Sequence, residues 1–241
     1  MKILLPVLLL FTPYLAQAEI GLGVFGSISQ KPYKATDPQY TVFPNITYQS
    51  ERFYLRFPEI GYHLLPRPSF QSLAIGLTYD SSGLDPKDSS DTNIRRLDER
   101  EDSIMAFASY RLESITAKLV QDISGEHDGY YTQLSAGYPV FIRSWRIIPS
   151  ISYRHIGSKM SNYLFGVSQS ESDKTSGAIE TYHTNTTSFV RYGVIGIYPI
   201  MKNANVMIGI NHTRFDDEIF SSPIIEDNQT TSLISSFMLS F

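Results

Sequence analysis

Asp122, Glu126, His127 and Asp128 place one histidine among three carboxylates in a single short stretch. A carboxylate-oriented imidazole can act as a general base on water or on an ester. Ser124, Gly125 and Gly129 interleave with these residues, however, and such residues shape turns. The competing reading is that the charged groups order the turn through hydrogen bonds. No partner nucleophile can be assigned, so no catalytic residue is predicted. His155 near Ser152 and Arg154 offers no lipase-like pair, because residues three apart on a strand point to opposite faces. His63, His183 and His212 are scattered without metal-ligand spacing. No metal site and no cofactor is predicted.

The elements carrying these residues follow a period of two. In the terminal segment, Leu233, Phe237, Leu239 and Phe241 share one face while Ile234, Ser236, Met238 and Ser240 share the other. Similar strands are predicted at Glu19–Ser29, Tyr40–Gln49, Phe70–Tyr79, Asp102–Leu112, Ser114–Ile123, Gly129–Phe141, Trp145–Ile156, Thr184–Ile200 and Asn205–Thr213. Pro58 and Glu59 split the segment from Glu51 to Leu65 into two short strands meeting in a turn, because proline cannot donate to a ladder. Pro66–Ser69 reads as a turn.

Connection lengths alternate. Glu113, Arg143-Ser144 and Lys202-Asn203-Ala204 are short; Asp80–Glu101, Gly157–His183 and Arg214–Asn228 are long, the second being the longest irregular stretch. Short turns at one end and long loops at the other are the pattern of an outer-membrane barrel. The fold class predicted is therefore all-β, an antiparallel transmembrane β-barrel. It has twelve strands if the 53–65 region supplies two, and ten if it supplies none. Tyr79, Tyr110, Tyr138, Tyr153 and Tyr198 fall near strand ends, where rings suit the headgroup level. Lys118, Arg146, Arg154 and Arg191 lie opposite the apolar rows with Asp122. Charge on the lipid face costs about 2–4 kcal/mol near the midplane, so these residues are expected to point inward.

Composition agrees. Met1-Lys2, an apolar run from Ile3 to Leu15 and Ala16-Gln17-Ala18 read as a signal peptide over 1–18, cleaved after Ala18, leaving one barrel domain over 19–241. Discounting Lys2 from 20 basic residues leaves 19 against 24 acidic ones, the wrong balance for binding nucleic acid. With no cysteine, thiol chemistry and disulfides are excluded. The loop holding Asp85, Asp88, Asp91, Asp98, Glu99, Glu101 and Asp102 raises the question of calcium. It also carries Lys87, Arg95, Arg96 and Arg100 and lacks EF-hand spacing, so a solvated loop touching lipopolysaccharide is expected.

Several landmarks then resemble the MipA/OmpV family, named for its MltA-interacting member. They are Gly21–Gly26, Phe43–Tyr48, Asp122–Gly129, Ser161–Val167, Ser222–Ile225 and the terminal Phe241. The family usually has an aromatic pair before Gly-Val where this chain has Leu164-Phe165. The resemblance implies an outer-membrane barrel whose last strand, ending in Phe241, is read by the barrel-assembly machinery. It further implies a non-enzymatic scaffold joining a lytic transglycosylase to a peptidoglycan synthase. A small anion-favouring channel, a surface adhesin and an outer-leaflet hydrolase are the alternatives.

Overall fold

The computed structural model describes residues 18–65 and 70–241. The expected signal peptide, apart from Ala18, and the expected turn at Pro66–Ser69 lie outside the described residues. One antiparallel sheet contains β1 (Glu19–Ser29), β2 (Gln39–Gln49), β3 (Phe53–Arg56), β4 (Glu59–His63), β5 (Gln71–Asp80), β6 (Ser103–Leu112) and β7 (Ile115–Asp122). It continues through β8 (Tyr130–Gly137), β9 (Val140–Ile142), β10 (Trp145–Ile156), β11 (Thr187–Met201), β12 (Ala204–Phe215) and β13 (Gln229–Ser240).

Each strand pairs with its chain neighbour, and β13 returns to β1, so the sheet closes. Phe241 completes this seam: its N–H donates to the Ile20 carbonyl at 2.8 Å. Strands β8 and β9 are two pieces of one stave, since both pair with β10. Pro139 interrupts that stave and Pro149 stands opposite on β10; neither has an N–H for the ladder. The result is a closed twelve-stranded antiparallel barrel. Closure removes sheet edges, the condition for spanning lipid with strands. No described helix is long and apolar enough to cross a membrane.

The side chains alternate as the sequence requires. Leu22, Val24, Val42, Ile46, Leu119, Leu134, Ile151, Ile208, Leu233 and Phe237 are exposed on the outer face. All five tyrosines expected at strand ends are exposed there too. Trp145 packs against Tyr198 at 5.1 Å near the end that carries the short turns. The inner face carries Asn45, Thr47, Lys118, Gln133, Ser152, Arg154, Asn211 and Ser236. Most are half-buried.

The wall is uneven at one place. Strand β3 pairs with β2 only at Thr47, Tyr48 and Gln49, so Gln39–Ile46 have a strand neighbour on the β1 side alone. Aromatic rings occupy the space above the short β3–β4 hairpin. Phe43 meets Phe25 and Phe57, both at 4.9 Å, and Phe57 lies 6.3 Å from Tyr79.

Outside the wall, the long loops are structured. The stretch read as irregular, Gly157–His183, contains α1 (Ser158–Phe165) and α2 (Gln169–Lys174), while α3 (Asp217–Phe220) begins the last loop. Met160, Ser161, Leu164 and Phe165 are spaced to give α1 one buried face. Ser168 and Glu171 form a reciprocal capping box at the start of α2. The acidic loop is not simply solvated, as expected from its charge: Leu84, Ile94 and Leu97 are buried in a core shared with α1, Ile219, Ile224 and Ile225. That core lies among the loops and continues into the barrel through Met105, Phe107, Val120 and Tyr131.

Candidate functional site

The Asp122 carboxylate ends β7 and is enclosed by its own loop. It accepts from the Ser124 N–H and hydroxyl at 2.9 and 2.7 Å, and from the His127 and Asp128 N–H groups at 2.9 Å each. A carboxylate offers about four acceptor positions, and these four donors take them. His127 Nδ1 lies 3.8 Å from Asp122 and accepts from the Gly129 N–H at 2.9 Å, placing the ring proton on Nε2. Burial holds the imidazole below its ordinary pKa, although Asp122 opposes the shift. Its ring stacks on Tyr163 of α1 at 5.3 Å. Gly129 is needed for contact: a Cβ there would sit 2.4 Å from the Met160 nitrogen. The structure thus brings Asp122, His127 and Asp128 together as an ordered turn that docks α1. No lone pair of Asp122 is left to activate water.

The remaining histidines are dispersed. His63 pairs with Ser72, His183 with Asn162 and His212 with Thr231, all on different elements. Among the described residues no group of His, Asp or Glu is arranged to hold a metal. The acidic loop uses its carboxylates internally. Asp85 caps a short helical turn, Asp91 accepts from Asn93 and Ile94, Lys87 pairs with Glu99 at 3.0 Å, and Lys174 pairs with Asp98.

The loops are joined to one another. Arg100, buried, donates to Glu171 at 2.7 Å and to the Gly166 carbonyl at 3.0 Å. Ser222 Oγ donates to the Phe165 carbonyl at 2.6 Å, and the Tyr182 hydroxyl to the Glu218 carbonyl at 2.7 Å. Ala35 N–H donates to Glu226, and the Tyr33 hydroxyl lies 3.4 Å from the Leu164 carbonyl. These four loops, with the Asp122–Gly129 turn docked on α1, form one cap over the outer end of the barrel. Sequence reasoning missed this cap. Its signals were present in the apolar positions of α1 and in Ser168-x-x-Glu171.

Beneath the cap lies a lumen cavity of about 400 Å³. Phe25, Phe189, Phe215 and Ile234 line its walls, and Met160, Leu164 and Phe165 its roof. Arg154 and Arg191 face it, as expected, and Lys31 joins them from the first loop. Lys118 also points inward, but it pairs with Glu59 and lies over the Phe107 ring. Arg146 lies on the same strand face as Arg154, exposed at the short-turn end. A larger hollow, about 730 Å³, is bordered by Trp145, Val194, Ile208 and Leu233 on the lipid-facing surface. Its apolar walls suit acyl chains.

The family model for "MltA-interacting protein MipA" matches residues 20–241, which is nearly every described position. The chain belongs to this family. Among MipA relatives, outer membrane protein YiaT of Escherichia coli K12 is 22% identical over 92% of each chain. The MltA-interacting protein of the same organism is 26% identical over 91% of this chain and 89% of its own. Among solved structures, the outer membrane protein OprD of Pseudomonas aeruginosa aligns over 93% of this chain and 66% of its own, with 12% identity and a TM-score of 0.36. As a MipA-family barrel, the protein resides in the outer membrane. Two landmarks that carried the resemblance, Ser161–Val167 and Ser222–Ile225, meet in the cap through the Ser222–Phe165 hydrogen bond.

Proposed function

We propose that this protein is a non-enzymatic interaction protein of the outer membrane. It would offer its periplasmic rim to a lytic transglycosylase and a peptidoglycan synthase. The observation that carries this reading is the unequal treatment of the two barrel ends. Outer loops are joined by hydrogen bonds into a cap, whereas the described part of the opposite rim has short turns flanked by exposed apolar residues. Phe141, Ile142, Ile200 and Met201 are exposed beside the turns at Arg143-Ser144 and Lys202-Asn203, next to Arg146. β9 and β11 both pair with β10, so the two turns stand side by side at the rim, with Phe141 on the face of Arg146 and Ile142 on the outer face with Trp145. Exposed apolar patches with a polar rim mark interaction sites. The name of the Escherichia coli relative, MltA-interacting protein, points the same way. Saturation of Asp122 supports a non-enzymatic role.

The test is affinity purification of the tagged protein from mildly crosslinked membranes, with Phe141→Glu and Met201→Glu variants alongside. Recovery of a transglycosylase or synthase from the wild type, and its loss from folded rim variants, would support the proposal. Recovery of neither enzyme, or equal recovery by the rim variants, would refute it.

A further inference from the structure

Arg154 and Arg191 stand out among the inward-facing charges. Register pairs Arg154 with Phe189 and Arg191 with Ser152, so the two arginines lie diagonally across β10 and β11. Both guanidinium carbons approach the Phe189 ring, at 5.1 and 5.4 Å. Arg154 donates to Gln133 Oε1 at 3.1 and 2.8 Å and lies 4.0 Å from the Tyr131 ring; Arg191 donates to Thr213 at 3.0 Å. Neither forms an ion pair with a carboxylate among the described residues, unlike Lys118, which stands beyond Gln133 on the same wall and pairs with Glu59.

Two like charges held near one ring repel each other, and the repulsion is stronger away from bulk water. Gln133 and Thr213 supply dipoles but no compensating charge. The cavity lining contains Lys31 as a third cation and no Asp or Glu. The rest of the lining is mixed: Phe25, Phe215, Leu164, Phe165 and Ile234 give it an apolar side, while Ser27, Gln30, Asn211, Thr230 and Ser232 are neutral and polar. Its volume falls within the range of about 300–1,000 Å³ typical of small-molecule sites, which combine apolar walls with a few placed polar groups.

We infer that this cavity binds a small amphiphile with an anionic head. The carboxylate or phosphate lies between Arg154 and Arg191, with its apolar body against Phe25, Phe189 and the α1 roof. Arginine suits such a head because its planar fork can meet two oxygens at once. This inference is independent of the partner proposed for the periplasmic rim.

The test uses the folded protein in phosphatidylcholine nanodiscs, with empty nanodiscs as the blank. Calorimetry is run with octanoate, octyl phosphate, octylamine and inorganic phosphate. Octanoate and octyl phosphate are expected to bind saturably at one site, octylamine not at all, and inorganic phosphate at least tenfold more weakly than octyl phosphate. The paired substitution Arg154→Gln and Arg191→Gln should weaken the anionic amphiphiles at least tenfold. Ser27→Trp, which fills the cavity while keeping both arginines, should also abolish their binding. Heat-dependent gel mobility verifies that both variants are folded. Absence of saturable binding, equal binding of octylamine, or an unchanged affinity in the folded arginine variant would overturn the inference. Inorganic phosphate binding as tightly as octyl phosphate would overturn its apolar half.

Discussion

Removing the Glu171 side chain should loosen the cap without loosening the barrel. Glu171 is buried and accepts from Arg100 at 2.7 Å, from the Ser168 N–H and hydroxyl at 2.9 Å each, and from the Asp98 N–H at 3.3 Å. Breaking one side of a buried ion pair costs about 3–5 kcal/mol, because the other charge remains buried. Arg100 would keep the Asp98 and Gly166 carbonyls as acceptors, so the lower value, about 3 kcal/mol, applies. At about 1.4 kcal/mol per tenfold, that is roughly a hundredfold rise in the open population of the cap. The assay is amide hydrogen exchange on Glu171→Ala in nanodiscs. Amides in α1, α2 and residues 94–102 should exchange faster by that order, while those of β6, β7 and β12 keep their wild-type rates. Unchanged cap exchange would refute the reasoning. So would equal acceleration in the wall strands, since it would make the cap and barrel one cooperative unit.

Acid should act on the same contact. Burial pushes the Glu171 pKa up, but the bonds from Arg100 and Ser168 outweigh it and hold the group below the ordinary carboxylate value. A depressed folded pKa stabilises above the unfolded value, about 4.3. That contribution is lost as pH falls through the folded value. Wild-type cap exchange should therefore accelerate in this acid range, and Glu171→Gln should flatten the response. Asp122→Ala leaves the Ser124, His127 and Asp128 N–H groups without their acceptor, at about 1–3 kcal/mol for an unmet buried donor. Faster exchange confined to residues 123–129 and the start of α1 is expected, and an unaltered loop would contradict the structural role. Gly23→Val should block closure between β1 and β13, because a Cβ there would lie 1.9 Å from the Phe237 carbonyl oxygen. Gly26→Ala should fold normally, its nearest contact being 3.4 Å. The folded fraction by heat-dependent gel mobility distinguishes them. Lys118→Met leaves Glu59 without its cation and should lower the thermal midpoint. Adding Glu59→Gln should restore most of the loss.

The wall was legible because alternation is a local property. Glu19–Ser29 and Trp145–Ile156 were readable residue for residue, and Pro58 marked the hairpin that makes the count twelve. The inward direction of Lys118, Arg154 and Arg191 followed from the same alternation and the cost of charge in lipid. The cap was not legible as a unit, because contacts such as Arg100–Glu171 and Ser222–Phe165 join residues far apart in sequence. Charge density in residues 80–102 suggested solvation, although Leu84, Ile94 and Leu97 are the positions that bury. Which arginines lack a counter-charge depends on wall register and cannot be read along one strand.

The short β3–β4 hairpin makes the barrel's hoop incomplete over part of its height. Hydrogen bonds carry circumferential load around the rest of the ring, whereas beside Gln39–Ile46 edge-to-face aromatic contacts carry it instead. Dispersion contacts between rings are soft and reversible compared with a ladder. Swelling of the lumen should concentrate at this slit while the opposite wall keeps its curvature.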